Sequence, residues 1–465
     1  MRNINLNIRL PDDIRDTVVH IASTFRDRGF QCYLIGGSVR DLALGHNVYD
    51  YDFATDARPE EVMKLFRRTI PTGIKHGTVS VLSKGRQFEI TTYRSDGEYN
   101  DGRRPESVCF SKELHVDVER RDFTINGLVF DPLTGELIDH VGGIEDLRAG
   151  RIRTIGDPVM RFSEDGLRPI RACRFAAKLE FIIDPDTLHA ITRTLHVVKM
   201  VSPERIRDEL MKILDTEKPS IGFEYLRESG LLDIILPELA QCHSVTQNKY
   251  HIFDIYYHSI YSCDGAPREY PMIRLAALLH DIGKLPTRQP GADGECTFYN
   301  HEVVGSKIAR RILKRLKFSN EQTDVVINLI LNHMFHYTDE WTDGAVRRFI
   351  RKVGIENIDD LIILRRADRK GNGARKGLPA PIERLKKRIE HVIEQDNAFS
   401  VRDLDINGNI LMKELGLTPG PIIGRILNEL LEAVLDDPEL NTREKLTDMA
   451  RAIMLRDKND PPAGD

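Results

Sequence analysis

Residues Gly36 to Thr55, GGSVRDLALGHNVYDYDFAT, constrain this chain more than any other stretch. In Tyr49-Asp50-Tyr51-Asp52-Phe53 the residues alternate, so on a β-strand Asp50 and Asp52 point to one face. Two carboxylates held side by side repel each other unless a hard divalent cation sits between them. Mg²⁺, bound through one or two carboxylates plus substrate phosphates, is the usual occupant. Gly36 and Gly37 follow the apolar run Tyr33-Leu34-Ile35, where a strand turns and exposes backbone N–H groups to an anion. Ser38 stands in the same turn, and Arg40 adds a forked phosphate donor. A lone D-x-D or a lone Gly-Gly is usually an acidic loop or a simple turn. In this order, with Arg40 between them, the pattern reads as a nucleoside triphosphate held over metal, for phosphoryl or nucleotidyl transfer.

A chain of 465 residues exceeds one ordinary hydrophobic core, so several domains are expected. Hydrophobic residues make up 41% and charged residues 30%, the balance of a soluble globular protein. No apolar run approaches the ~20 residues needed to span a bilayer. The opening MRNINLNIRLPDDIRD lacks the apolar core of a secretory signal. Cys32, Cys109, Cys173, Cys242, Cys263 and Cys296 form no C-x-x-C pair, which argues against structural zinc and disulfides and for a reducing cytoplasm. A net charge of −5 has the wrong sign for wholesale nucleic-acid binding. Local basic stripes remain at Arg67-Arg68, Arg103-Arg104, Arg120-Arg121 and Arg168 to Arg174.

Strand-like segments and turn signals fill roughly the first 155 residues. Gly77 to Leu82 and Gln87 to Tyr93 read as two strands around Ser83-Lys84-Gly85-Arg86. A polar loop, RSDGEYNDGRRPESV, follows and reads as mobile. From Arg161 the periodicity turns helical, with segments Phe162 to Leu179, Pro203 to Leu214 and Ile221 to Leu231. Breaks near residues 160, 240 and 378 divide the chain, and DKNDPPAGD reads as a disordered end.

Glu89, on the second of those strands, is a candidate third carboxylate beside Asp50 and Asp52. In Glu119-Arg120-Arg121-Asp122 the plainer reading is a surface salt-bridge cluster. The functional reading puts Arg121 on the triphosphate and Asp122 near the ribose or the loop backbone. In RFSEDGLRPIRACRFAAKLEF, Arg168, Arg171 and Arg174 recur every three residues on one helix face, with Asp165 one turn before Arg168. A carboxylate accepts from the exocyclic amino group of cytosine or adenine while a guanidinium donates to the ring nitrogen. Uracil and guanine reverse that pattern. Asp165 and Arg168 thus have the chemistry to select CTP and ATP, and an exposed i,i+3 salt bridge is the plainer alternative.

The blocks GGSVRD…DYD, GIKHGTVSV, EITTYRSDGEYNDGRRP, ERRDFTIN, RFSEDGLR and ERIRDEL, in that order, closely resemble the class II tRNA nucleotidyltransferases: the CCA-adding enzymes and their poly(A) polymerase relatives. The resemblance covers roughly residues 30 to 215. It implies an α+β chain: a nucleotidyltransferase head with a mixed β-sheet (1–160), then an all-α neck (161–240), body (241–378) and tRNA-binding tail (379–465). It implies Asp50 and Asp52 as Mg²⁺ ligands and Gly37, Arg40 and Arg121 at the triphosphate. Asp165 and Arg168 then fall on the nucleobase readers, with Arg171 and Arg174 lining the same pocket. The implied partners are tRNA, ATP and CTP, with CCA addition favoured over poly(A) synthesis or A-only addition. Glu204-Arg205-Ile206-Arg207 resembles the motif that steadies the neck. Pro169, directly after Arg168, and Gly127, where alanine is expected, depart from the pattern.

A second pattern lies further on. Leu275 to Leu279 runs into His280-Asp281-Ile282-Gly283-Lys284, with His258 upstream and His301, His333 and Asp368 downstream. This resembles the HD superfamily of metal-dependent phosphohydrolases. The resemblance implies His258, His280, Asp281 and Asp368 as ligands of one transition-metal ion, a donor set suited to Mn, Fe, Ni or Zn. Hydrolysis by this domain, with the head only binding RNA, is a further alternative. From Ile406, INGNILMKELGLTPGPIIGRILNELLEAVL reads as a helical hairpin, which the resemblance places at the tRNA elbow. The sequence leaves the oligomeric state open.

Overall fold

A computed structural model describes residues 4, 6–97, 108–248, 251–291, 295–373, 380–395 and 399–459. Most of the RSDGEYNDGRRPESV loop, part of the break near 378 and the end of the DKNDPPAGD segment lie outside the described residues. The chain forms two compact units: residues 1–241 with 314–318, and residues 242–313 with 319–465. No described helix is long and apolar enough to cross a membrane.

The first unit carries a seven-stranded mixed sheet. Its strands are β1 (Cys32–Ile35), β2 (Asp52–Thr55), β3 (Thr69–Gly73), β4 (Thr78–Ser83), β5 (Arg86–Thr92), β6 (Val129–Phe130) and β7 (Leu137–Ile138), in spatial order β3-β4-β5-β2-β1-β6-β7. Only β2 and β5 pair in parallel; the other neighbours are antiparallel. The β4–β5 ladder continues to Ser83 opposite Arg86, so the connection is two residues rather than four. Lys84 and Gly85 both take positive φ (47° and 78°), the tight hairpin turn whose twist matches the strands. The β2 strand is shorter than the alternation implied: Asp52 opens it, and Asp50 lies in the preceding loop. Burial alternates over Asp50 to Phe53, exposed and buried in turn, but not at Tyr49, which is 81% exposed where Tyr51 is 3%.

The helical segment expected over Phe162 to Leu179 is two helices, Pro158–Glu164 and Leu167–Leu179. Asp165 is extended, and its carboxylate accepts from Leu167 N at 3.0 Å. A Cβ on Gly166 would come within 2.6 Å of the Val197 carbonyl, so the chain breaks where another segment presses against its backbone. Pro169 consequently falls in the first turn of the second helix, where its missing N–H costs nothing. Pro203–Leu214 is one helix as the periodicity predicts. The Ile221 to Leu231 segment instead divides into Pro219–Glu228 and Leu231–Ile235, with Gly230 left-handed between them.

The second unit is almost wholly helical among its described residues. Two of its helices, Ile255–Gly265 and Ile358–Gly371, cross with glycine at the contacts. A Cβ on Gly265 would meet Ala367 O at 2.8 Å, and one on Gly371 would meet Ser262 Oγ at 2.1 Å. That close crossing sets His258 beside Asp368. Helices Gly408–Leu415, Pro421–Asp436 and Arg443–Asn459 share a core of Leu411, Leu430, Leu431, Val434 and Leu446.

Candidate active site

In the sheet, β2 and β5 set Asp52 opposite Glu89 in register, and Phe53 and Ile90 behind them are buried. Side chains at paired positions of parallel strands share a face. The surrounding protein strips water from the Asp52 carboxylate and pushes it up to about 6; Glu89 and Asp50 push the same way and Arg121 opposes them. Among the described residues, the sets of three ligand atoms lying within 4.8 Å of one another fall in the second unit, and Asp50, Asp52 and Glu89 do not form one.

The anion-binding side is built on the turn after β1. Gly36 has φ 82° and ψ −136°, and a Cβ there would lie 3.2 Å from Arg121 Nη1, so a bare backbone lets that guanidinium close over the turn. The short helix Gly37–Ala43 begins at this point, and the first amides of a helix have no partner within it. Arg121 is anchored by Asp117 Oδ2 at 3.1 Å, and Asp117 is buried with Arg120 on its other oxygen.

Two of the predicted contacts are engaged by the protein itself. Ser38 Oγ donates back to the Ile35 carbonyl at 3.2 Å. Arg40 is 2% exposed, with Asp41 at 2.8 Å from Nε and Asn126 on Nη1, so it braces the turn from behind instead of reaching out as a free fork. Asp122 lies on the loop backbone: Oδ1 accepts from Phe123 N and Asn126 Nδ2, and Oδ2 from Arg171. Burial would raise the Asp122 carboxyl, but Arg171 and Asn126 hold it well below the carboxylate range.

The three arginines of the helix Leu167–Leu179 do not line one pocket with free guanidiniums. Arg168 donates to Glu164 and to the carbonyls of Arg161 and Arg120. Arg171 pairs with Asp122 at 2.6 Å, and Arg174 with buried Glu209 at 2.6 Å. Arg40, Arg171 and Arg174 all stack on Phe175, 5.1, 5.4 and 4.1 Å from its centroid. The plainer alternative, an i,i+3 salt bridge from Asp165 to Arg168, is not the partnership found: Asp165 Oδ2 accepts from Arg205 Nη2 at 2.9 Å. Arg205 belongs to the Glu204–Arg207 motif noted in the sequence; Glu164 and Glu209 fall within the quoted RFSEDGLR and ERIRDEL blocks, which gave them no role of their own.

The second unit gathers its histidines in one place. His258 Nε2 lies 3.1 Å from His280 Nε2 and 3.2 Å from both Asp281 Oδ2 and Asp368 Oδ1; His280 Nε2 lies 3.3 and 3.8 Å from those oxygens. Burial would lower His258, yet Asp281 and Asp368 lift it to about 9. Lys284 Nζ sits 2.6 Å from Asp281 Oδ2. Gly283 packs on the chain at His301, where a Cβ would meet His301 O at 2.0 Å, and this brings His301 and His333 to the same cluster. A cavity of about 600 Å³ opens over it, lined also by Arg365, Tyr299 and Asn372.

Family models match the chain over residues 32–153 (Poly A polymerase head domain), 180–242 ("Probable RNA and SrmB- binding site of polymerase A") and 299–450 (tRNA nucleotidyltransferase domain 2). The CCA-adding enzyme of Ligilactobacillus salivarius is 30% identical over 96% of this chain and 98% of its own length. The chain belongs to the CCA-adding enzyme family. The Leuconostoc mesenteroides CCA-adding enzyme is 32% identical over 97% of this chain and 99% of its own. Among solved structures, the Bacillus stearothermophilus CCA-adding enzyme in complex with CTP superposes with a TM-score of 0.74 at 26% identity, covering 97% of this chain and all of that one (100%). The Thermotoga maritima CCA-adding enzyme complexed with tRNA shares the fold, with a TM-score of 0.58 at 20% identity over 98% of this chain and 100% of that one.

Proposed function

We propose that this member of the family rebuilds the 3′-terminal CCA of tRNA from CTP and ATP, without a nucleic-acid template and in the cytoplasm, with Asp50 and Asp52 as its metal carboxylates and Glu89 beside them. The observation that carries the assignment is the register of Asp52 against Glu89, next to the Gly36 turn and Arg121. The donor set fits Mg²⁺: oxygen ligands only, one of them a carboxylate whose ionisation is disfavoured until a cation arrives. Asp50 and Asp52 would hold divalent ions there, which would supply acidity to the tRNA 3′-hydroxyl and charge neutralisation to the departing pyrophosphate. Arg121 and the Gly36-Gly37 backbone hold the triphosphate, and Arg40 keeps the turn in shape. Asp165 and Arg168 present acceptor and donor to the base, with Arg205 fixing the aim of Asp165. The proposed layout is head 1–160, neck 161–240, body 241–378 and tail 379–465, with the tail on tRNA backbone phosphates.

The test offers the protein, with Mg²⁺ and each nucleoside triphosphate, tRNAs that end before CCA, after C and after CC, and sequences the products. Completion of CCA on all three and then arrest supports the reading. Homopolymeric A tails would favour poly(A) synthesis, and extension of only the CC-ended tRNA would favour an A-adding enzyme.

A second activity rests on its own observation, the converging ligand atoms of His258, His280, Asp281 and Asp368. These residues hold one transition-metal ion in this reading, for hydrolysis of a phosphate ester. Loss of bound metal and of any phosphatase or cyclic phosphodiesterase activity in His280→Ala plus Asp281→Ala, with nucleotide addition intact, is the supporting result. Equal metal content in both proteins would make these side chains structural.

A further inference from the structure

A cavity of about 580 Å³ opens in the first unit, and none of the residues lining it belongs to the Gly36 turn or to Asp52 and Glu89. That volume is in the range of pockets for small organic ligands. Backbone pairing builds its floor: Phe123 and Thr154 form a β-bridge, and Thr124 N donates to the Arg153 carbonyl. Thr154 is 3% exposed on the cavity wall, and its Oγ1 has no hydrogen-bond partner among the described residues. A buried hydroxyl left in that state costs free energy that an occupant would recover. Beside it, Thr187 Oγ1 accepts from Thr154 N at 3.3 Å and keeps its own proton to donate. Arg153 Nε donates to buried Asp146 at 2.8 Å, while its two Nη atoms have no hydrogen-bond partner among the described residues. Arg161 closes another wall with its nitrogens engaged on the carbonyls of Ile155, Arg120 and Glu119. Two hydroxyls and an open guanidinium fork thus face one space, a set of donors that a phosphate group, all acceptors, satisfies.

At the rim the character reverses. Glu119 and Asp186 are exposed carboxylates, and Asp184 is turned to its own helix, accepting from Asp186 N at 3.2 Å and Thr187 N at 3.4 Å. Rim carboxylates repel a polyphosphate but accept from hydroxyl groups, so one phosphate flanked by sugar hydroxyls fits and a triphosphate does not. We infer that this cavity binds the phosphate ester of a ribonucleotide, either as one unit of an RNA strand or as a free nucleoside monophosphate. The phosphate takes the protons of Thr154 and Thr187 and the fork of Arg153, and the ribose hydroxyls donate to Glu119 and Asp186. Val141 and Ile155 supply apolar wall for the sugar and base. The site stands apart from the proposed roles of Asp50, Asp52 and the histidine cluster, and its failure would leave them untouched.

The experiment compares the full-length chain with Thr154→Val, a substitution of equal shape that removes a hydroxyl with no partner inside the protein. Binding of labelled AMP is measured by equilibrium dialysis with saturating unlabelled ATP and Mg²⁺, so that the triphosphate site is filled. The KM for ATP and for a tRNA ending after CC is measured alongside. Loss of a hydrogen bond to a charged phosphate is expected to weaken binding about tenfold. A raised KM for tRNA with an unchanged KM for ATP assigns the cavity to the RNA strand. Weaker AMP binding with an unchanged KM for tRNA assigns it to the free nucleotide. AMP affinity and tRNA KM both unchanged overturn the proposal, as does an equal change in the KM for ATP, the mark of a general disturbance. Photocrosslinking of the wild type decides the matter even if the variant does not fold. The probe is 8-azidoadenosine, presented as the monophosphate and within the tRNA 3′ end, and peptide mass spectrometry locates the label. Label on residues 153–158 or 184–187 from either probe supports the site, and label confined elsewhere from both overturns it.

Discussion

Asp52 and Glu89 occupy paired positions on the parallel strands β2 and β5, so their carboxylates rise side by side from one face of the sheet. Loss of water around the Asp52 carboxylate, and after it the neighbouring Glu89, disfavour charge at Asp52 and make it readable in solution. With its carboxyl at about 6 against an ordinary 3.8, the folded chain holds this proton more tightly than the unfolded chain does. Asp52 therefore contributes stability below pH 4 that is lost as pH rises through 6. Asp52→Asn is expected to raise the melting temperature of metal-free protein at pH 8 and to have a vanishing effect as pH falls towards 4. Adding Mg²⁺ at pH 8 should stabilise the wild type and not the variant. Thermal scans with and without Mg²⁺ check both, and an identical metal response in the two proteins contradicts the assignment.

Arg205 reaches Asp165 across the break between two segments of the first unit, at 2.9 Å. Removing it frees the carboxylate to swing while leaving the triphosphate contacts in place. Arg205→Ala is expected to raise UMP and GMP misincorporation relative to CMP and AMP by tenfold or more, within the ~1–3 kcal/mol that a bidentate base contact carries. The KM for the correct nucleotide should change less. Competition assays with all four triphosphates measure the ratio, and unchanged discrimination would make Arg205 a purely structural brace.

Gly127 stands where the family pattern suggests alanine, and its surroundings explain the smaller residue. A Cβ there would meet Val141 Cγ2 at 2.7 Å, Val118 Cγ1 at 3.2 Å and Ile155 Cδ1 at 3.3 Å. Gly127→Ala is expected to destabilise the first unit by about 1–3 kcal/mol through overpacking. Urea denaturation followed by circular dichroism tests this, and an unshifted midpoint would show that Val141 has room to move.

Local pattern carried much of this molecule. The alternation around Asp50 and Asp52, the strands on either side of Lys84-Gly85 and the helix Pro203–Leu214 follow from periodicity and turn chemistry, which act over a few residues. Partnerships across the fold were not legible in that way. Arg171 and Arg174 have the spacing of a pocket lining, yet Asp122, 49 residues away, and Glu209, 35 residues away, claim them. Arg40 looks like a phosphate fork until Asn126 and Phe175 bury it. The helix break at Asp165-Gly166 depends on the Val197 carbonyl, a neighbour that no window around Gly166 contains. His301 and His333 stand in the histidine pattern, but their convergence on Asp281 Oδ1 required the packing at Gly283.

The central claim is that nucleotides are transferred to RNA at Asp50 and Asp52. The most direct measurement is incorporation of labelled CMP into a tRNA that ends before CCA, and of AMP into one that ends after CC, by wild type, Asp50→Ala and Asp52→Ala. Each variant must first be shown folded by its circular dichroism spectrum. Both incorporations are expected to fall by at least a thousandfold in each variant, because the same carboxylates serve every step. A folded variant that adds CMP or AMP at near wild-type rate would contradict the account.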